Sequence, residues 1–179
     1  MRIHTCAQQL AEQHGLDGFS MDDLAEAADV SRRTLFNYFA GKDDAVLGDP
    51  LELDPELTDR FVAGGPTGHL VDDMVALIET TFDAGEINRD EVARARRLLA
   101  TEPRLMAAAH QRFAAIGAEV VELIAAREGD RHDPAQARVV VHVLAVLFDL
   151  ALTAFIADPH GDLRGLFDDA IRRARTAFA

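Results

Sequence analysis

VSRRTLFNYFAGK, residues 30–42, gathers two adjacent arginines with the only lysine and the only tyrosine of a 179-residue chain. The chain carries 31 Asp and Glu against 18 Lys and Arg, a formal net charge of -13, so these cations run against the general balance. Ser31 suits a helix N-cap, which puts Arg32 and Arg33 in the first turn. Leu35 and Phe39 lie four apart and point to one side, with Phe36 expected to be partly buried beside them. Thr34, Asn37 and Tyr38 fall on the more exposed sides, where they can hydrogen-bond to phosphates or base edges. Lys42 can reach a phosphate as a point charge.

Working backwards, Ser20 and Asp23 in SMDDLAEAADV (residues 20–30) make a helix start of the Ser-x-x-acid kind, followed by Leu24, Ala25 and Ala28 on one face. Before it, Ile3, Cys6, Ala7, Leu10 and Ala11 form a stripe that ends at His14-Gly15 in the manner of a C-cap. Two short helices joined by about three residues form a helix-turn-helix when the second presents polar side chains outward. Residues 1–47 are therefore expected to be a three-helix reading head, with Ser31 to Phe39 as its second, DNA-facing helix.

The run of residues 3–47 resembles the DNA-binding domain of TetR-family transcriptional regulators, in which a Val-Ser-x-x-Thr-Leu-aromatic-x-x-Phe-x-x-Lys string follows an acidic-capped helix. Val30, Ser31, Thr34, Leu35, Phe36, Phe39 and Lys42 match that string position by position. The resemblance implies base or phosphate contacts from Arg32, Arg33, Thr34, Asn37 and Tyr38 on a helix capped by Ser31, and phosphate contacts from Ser20 and Lys42. It further implies a homodimer on a palindromic double-stranded DNA operator, acting as a repressor and released by a small hydrophobic effector. Some actinobacterial relatives that it resembles sense acyl-CoA-like molecules, which points to an acyl-type effector. Three positions depart from the pattern: Phe36 stands where tyrosine is common, Asp29 replaces the usual turn glycine, and almost no basic arm precedes Ile3. Asp29 tolerates a left-handed conformation better than most residues but adds negative charge near the DNA.

Residues 1–47 hold four cations against eight carboxylates, a net of -4. Net charge thus opposes DNA binding while position favours it. Position carries more weight, because three of the cations cluster in residues 30–42 and several acids occupy helix starts, where they stabilise the fold. The competing reading is a helical protein-interaction module whose helix-turn-helix no longer binds DNA.

Three prolines and a Gly-Gly pair between residues 48 and 68 mark a junction with a short helix from Pro55 to about Ala63. Beyond it, helical patterns cover residues 69–84, 88–101, 103–127, 134–157 and 162–178, and no alternating strand stands out. The expected fold is all-α, with a helix-turn-helix domain (1–47) followed by a larger helical ligand-binding and dimerisation domain (48–179). Met74, Ile78, Phe82, Met106 and Phe113 are candidates for a greasy effector pocket with His110, His142 and Asp149 as polar groups, the bland alternative being ordinary core. Thr81 and Thr153 also lie near apolar stripes. The arginines of residues 89–104 could meet an anionic ligand, but a solvated helix paired to Glu91 and Glu102 is the simpler reading.

Residues 139–157 are nearly all apolar and approach membrane-spanning length. His142 and Asp149 fall inside them, so the central helix of a soluble bundle, or a helix shared with a partner chain, is preferred to a membrane span. Val143 and Leu147 of that helix, with Leu166, Phe167, Ala170, Ile171 and Ala174 of the last one, are the candidate dimer interface. No signal peptide is legible and one cysteine, Cys6, allows no internal disulfide; both fit the cytoplasm. Cys6 lacks a catalytic partner, and the seven histidines lack metal-ligand spacing. Neither an enzyme, a cofactor nor a metal is expected.

Overall fold

A computed structural model describes residues 2–49, 53–83 and 87–178 of the chain. The described residues form ten α-helices and no strand: α1 (Arg2–His14), α2 (Met21–Ala28), α3 (Arg32–Tyr38), α4 (Lys42–Leu47), α5 (Pro55–Val62), α6 (Leu70–Asp83), α7 (Arg89–Thr101), α8 (Pro103–Glu128), α9 (Pro134–Ala157) and α10 (Leu163–Phe178). The expected patterns appear as helices within a residue or two, and position 84 lies outside the described residues. Only α4 was not anticipated as a separate helix. It has six residues and no side-chain cap, and Ala45 and Val46 are buried in the core it shares with α1.

Two compact units emerge. The first takes in residues up to 49 together with 88–113, so it is larger than the expected 1–47 domain by α7 and the first part of α8. The reason is apolar: Leu98 and Leu105 come back to fill the same core as Ala7, Leu24, Leu35 and Phe39, all nearly inaccessible to solvent. Gly15 ends α1 at φ +70, a conformation that favours glycine, with its N–H on the Ala11 carbonyl at 2.9 Å. Ser20 then starts α2 with a capping box: its Oγ accepts from the Asp23 N–H, and the Asp23 carboxylate accepts from the Ser20 N–H at 2.7 Å. Ser20→Ala is expected to cost about 1 kcal/mol, read as a fall of about 2 to 4 °C in melting temperature. An unchanged melting temperature would show that the box contributes nothing to stability.

The second unit holds residues 53–83 and 114–178. Its core joins Phe61, Met74, Ile124, Leu144, Phe155, Leu163 and Phe167. Phe82, Phe148 and Phe167 form a closed aromatic trio, with ring centroids 5.8 to 6.0 Å apart. The same unit holds a buried ion pair between Arg127 of α8 and Asp73 of α6, whose side chains are 4% and 0% exposed. Asp73 also accepts from the Thr67 N–H (2.6 Å), the Thr67 hydroxyl (2.7 Å) and the Gly68 N–H (3.2 Å). Arg127 donates to the Phe61 carbonyl at 2.7 Å and stacks on the Phe61 ring at 4.7 Å.

The expected dimer stripe needs correcting on α10. Phe167 is wholly buried and Ile171 is 8% exposed, because α10 lays its apolar stripe onto α9 and α6 of its own chain. Leu147 and Leu166 pack against the same core, and Ala170 and Ala174 are half-buried. On α9 the outward face is Val139, Val143, Val146 and Leu150, between 45% and 62% exposed. Among the described residues, α9 is the one helix long and apolar enough to cross a membrane.

Candidate nucleic-acid interface

Asp29 makes the turn between α2 and α3 at φ 55, ψ 48, the left-handed conformation expected of it, and its N–H reaches the carbonyls of Ala25 and Glu26. Val30 N–H then bonds the Ala25 carbonyl at 3.0 Å, closing the turn. Ser31 adopts extended backbone and caps α3, its Oγ accepting from the Thr34 N–H at 3.0 Å and sharing a 2.8 Å hydrogen bond with the Thr34 hydroxyl. Leu35, at 0% exposure, and Phe39, at 7%, anchor the helix from below. The outward residues are therefore Arg32, Arg33, Phe36, Asn37 and Tyr38, with Tyr38 70% exposed.

Three expectations are adjusted by this geometry. Phe36 is not part of the core: it is 46% exposed, and the Arg32 guanidinium lies over its ring at 5.4 Å. Lys42 is not a free phosphate ligand. Its Nζ donates to the carbonyls of Leu16 and Phe19, the latter at 2.8 Å, and sits 5.0 Å from the Phe19 ring centroid. With three donors on the ammonium, one remains after this clamp on the α1–α2 connection. Ser20, Ser31 and Thr34 likewise spend their hydroxyls on helix starts. Arg33, Asn37 and Tyr38 make no side-chain hydrogen bond or ion pair among the described residues, and they are the groups offered outward. An arginine can read a guanine and an asparagine an adenine through paired hydrogen bonds in the major groove.

Three of the arginines of residues 89–104, Arg94, Arg97 and Arg104, pair elsewhere than with the expected Glu91 and Glu102. Arg94 and Arg97 both converge on Glu12 of α1, at 3.1 and 2.6 Å. Arg104 bridges Asp43 (2.9 Å) and Asp17 (3.3 Å), and Arg112 holds Asp44 at 2.9 Å and the Gly48 carbonyl at 2.6 Å. Glu91 instead accepts from the Thr5 hydroxyl at 2.6 Å, and Glu102 from the Leu16 N–H at 3.3 Å. The hydrogen bond from Arg97 holds the Glu12 carboxyl below its usual range, and the bond to Asp43 raises Arg104. The electrostatic consequence is large for a reading head. Counting α7 and the start of α8 with residues up to 49 gives ten cations against twelve carboxylates, a net of -2 instead of -4. Four acids, Glu12, Asp17, Asp43 and Asp44, are paired from behind.

The candidate pocket residues are divided between the two units. Met106, His110 and Phe113 belong to the first unit and are exposed, whereas Met74 is core of the second. Ile78 and Phe82 pack against that core, and His142 and Asp149 lie exposed on α9. His142 Nδ1 and the Thr153 hydroxyl turn back onto their own helix at 2.7 and 2.9 Å, and the Thr81 hydroxyl onto Ile78 at 2.7 Å. One cleft in the second unit, lined by Leu57, Arg60, Phe61, Pro66, Asp73 and Thr80 among others, has a volume of about 90 Å³. That is well below the roughly 300 to 1,000 Å³ of a drug-sized pocket.

Comparison with known proteins agrees with this geometry. Residues 4–47 match the model of the tetR family of bacterial regulatory proteins, and residues 71–179, more than half of the chain, match the MftR C-terminal domain. A Mycobacterium tuberculosis (strain H37Rv) protein, whose name describes MftR as a transcriptional regulator of mycofactocin biosynthesis, is 45% identical over 47 residues. That match covers 26% of this chain and 24% of the relative's length.

Proposed function

Because the chain belongs to the TetR family of bacterial transcriptional regulators, we propose that it represses its target genes as a homodimer on a palindromic operator and leaves the DNA when a small hydrophobic or acyl-type effector binds. The observation that carries the reading is the outward set on α3: Arg33, Asn37 and Tyr38 are exposed and uncommitted on a helix that Leu35 and Phe39 fix from beneath. Two copies of that helix reach successive major grooves about 34 Å apart on one face of the duplex.

The dimer is supported by α9. Val139, Val143, Val146 and Leu150 follow the four-three-four spacing of a helix–helix seam, and isolated chains seldom leave such a run in water. A second copy covers it better than lipid, since His142 and Asp149 are also exposed on this helix. A cytoplasmic protein beside the chromosome fits this reading. The effector domain is the second unit, whose match to the MftR C-terminal domain supports a sensing role of that family's kind. Its apolar core around Phe82 and Phe148 suits a hydrophobic ligand, and an acyl chain would have to open space there. Coupling of about 1 to 3 kcal/mol between effector and operator suffices to change occupancy.

Selection from a random 30-base-pair pool, followed by gel shifts, tests the reading. The expected result is a palindromic motif with half-sites one helical turn apart. Arg33→Ala is expected to cost about 1 to 3 kcal/mol per subunit and to relax the base preference at one position of each half-site. Recovery of no motif, with no salt-sensitive shift on the DNA flanking its own gene, defeats the proposal. Mass spectrometry of the purified protein identifies a retained effector.

A further inference from the structure

The two adjacent arginines of α3 are not equivalent. Arg32 Nη1 donates to Asp22 Oδ2 at 3.0 Å while its guanidinium lies over the Phe36 ring at 5.4 Å. Arg33, one residue on, is exposed and makes no side-chain bond among the described residues. Asp22 belongs to α2 and reaches across to the reading helix; both members of the pair are well exposed, at 65% and 63%. A carboxylate presents to a guanidinium a pair of hydrogen-bond acceptors, as a phosphate does with two oxygens and a guanine edge with O6 and N7. We propose that Asp22 is a specificity-determining residue: it occupies Arg32 as an internal stand-in for DNA, so that Arg32 is released to a base edge and not to any phosphate that drifts within reach. This rests on the DNA-binding reading above.

The physical logic is a competition. A single phosphate offers Arg32 little more than Asp22 already does, and approach of the duplex also brings its negative charge up to the Asp22 carboxylate. A guanine O6/N7 edge offers two hydrogen bonds in fixed geometry, and it lies in the groove that α3 enters, away from the backbone. The stacked Phe36 ring keeps the guanidinium extended along the helix while it waits, a use for phenylalanine at a position where the string commonly has tyrosine. Exposed ion pairs are weak, so the restraint is small enough for the right sequence to override. In non-specific binding the pair is neutral, so it withholds one cation per subunit from a reading head that is already acidic.

The test compares the wild type with Asp22→Asn on two probes: a fluorescent 20-base-pair duplex of random sequence, and the random pool used for motif selection. For Asp22→Asn we expect affinity for random duplex to rise about two- to fivefold per subunit at low salt. The slope of log affinity against log salt steepens by about one per subunit. The selected motif is expected to lose information at the base facing Arg32. Glu26→Gln removes the same charge from the exposed side of the same helix, where Glu26 makes no side-chain hydrogen bond or ion pair among the described residues, and controls for bare charge. Arg32→Ala with Asp22→Asn completes a double-mutant cycle, and thermal melting follows any effect on the first turn of α2. The proposal is overturned if Asp22→Asn matches Glu26→Gln in affinity, slope and motif, or if its effect persists undiminished in the Arg32→Ala background. A wild type that binds neither probe overturns the DNA-binding reading itself, a result distinct from those two.

Discussion

Asp73→Ala is expected to destabilise the second unit by about 3 to 5 kcal/mol, the largest loss anticipated for any single residue outside the reading head. Alanine leaves the Arg127 guanidinium, whose side chain is 4% exposed, buried without its counter-ion, and it strips the N–H groups of Thr67 and Gly68 of their acceptor. Urea unfolding measures the loss, and a change below about 1 kcal/mol would mean that solvent reaches Arg127 more freely than its burial suggests. The pair also sets an acid limit. Burial by itself pushes the Asp73 carboxyl up, but hydrogen bonds from Thr67 and from Arg127 outweigh it and hold the group below its usual range. The folded value therefore lies below the unfolded one, near pH 4. The contribution is complete above that value and is lost as pH falls through the folded one. The stability gap between wild type and Asp73→Ala should stay flat from neutral pH down to about 5 and close only below about 4.

Val146→Asp is expected to leave the isolated chain folded and to raise the dimer dissociation constant by about 100-fold or more. Val146 is 59% exposed on α9, so the monomer loses little packing. In the proposed two-fold dimer, however, each aspartate would be buried in an apolar seam and would face the same charge on its partner. Sedimentation equilibrium reads the dissociation, and the affinity for a palindromic duplex should fall with it, because one reading helix holds only half of the phosphate and base contacts. A Val146→Asp protein that remains dimeric would move the interface off this face of α9.

Much of the reading head was legible because its signals are local. Ser20, Asp29, Ser31 and Leu35 act within one or two turns of themselves, so cap chemistry, turn conformation and helical spacing placed them without reference to the rest of the chain. The same locality explains what the sequence pattern did not reveal. Lys42 looked like a phosphate ligand from its position in the string, yet the carbonyls of Leu16 and Phe19, some two dozen residues earlier, are its acceptors. Phe36 is partly buried as its spacing suggests, but it lies outside the core at 46% exposure, under the Arg32 guanidinium. On α10 a clean apolar stripe looked like an interface, and only packing reveals that Phe167 and Ile171 belong to the core of their own chain, while Leu166, Ala170 and Ala174 stay partly exposed.

The sequence by itself determined an all-helical chain with a helix-turn-helix at residues 20–39, because apolar period, caps and the turn residue are properties of neighbours along the chain. The tertiary structure decided the electrostatics and the outward faces. Arg94, Arg97, Arg104 and Arg112 return to acids more than sixty positions earlier, turning a reading head of net -4 into a unit of net -2. Asp22 takes one arginine of the pair and leaves the other free. Such pairings depend on which helices pack together, and charge, unlike helical period, acts through space without regard to separation along the chain.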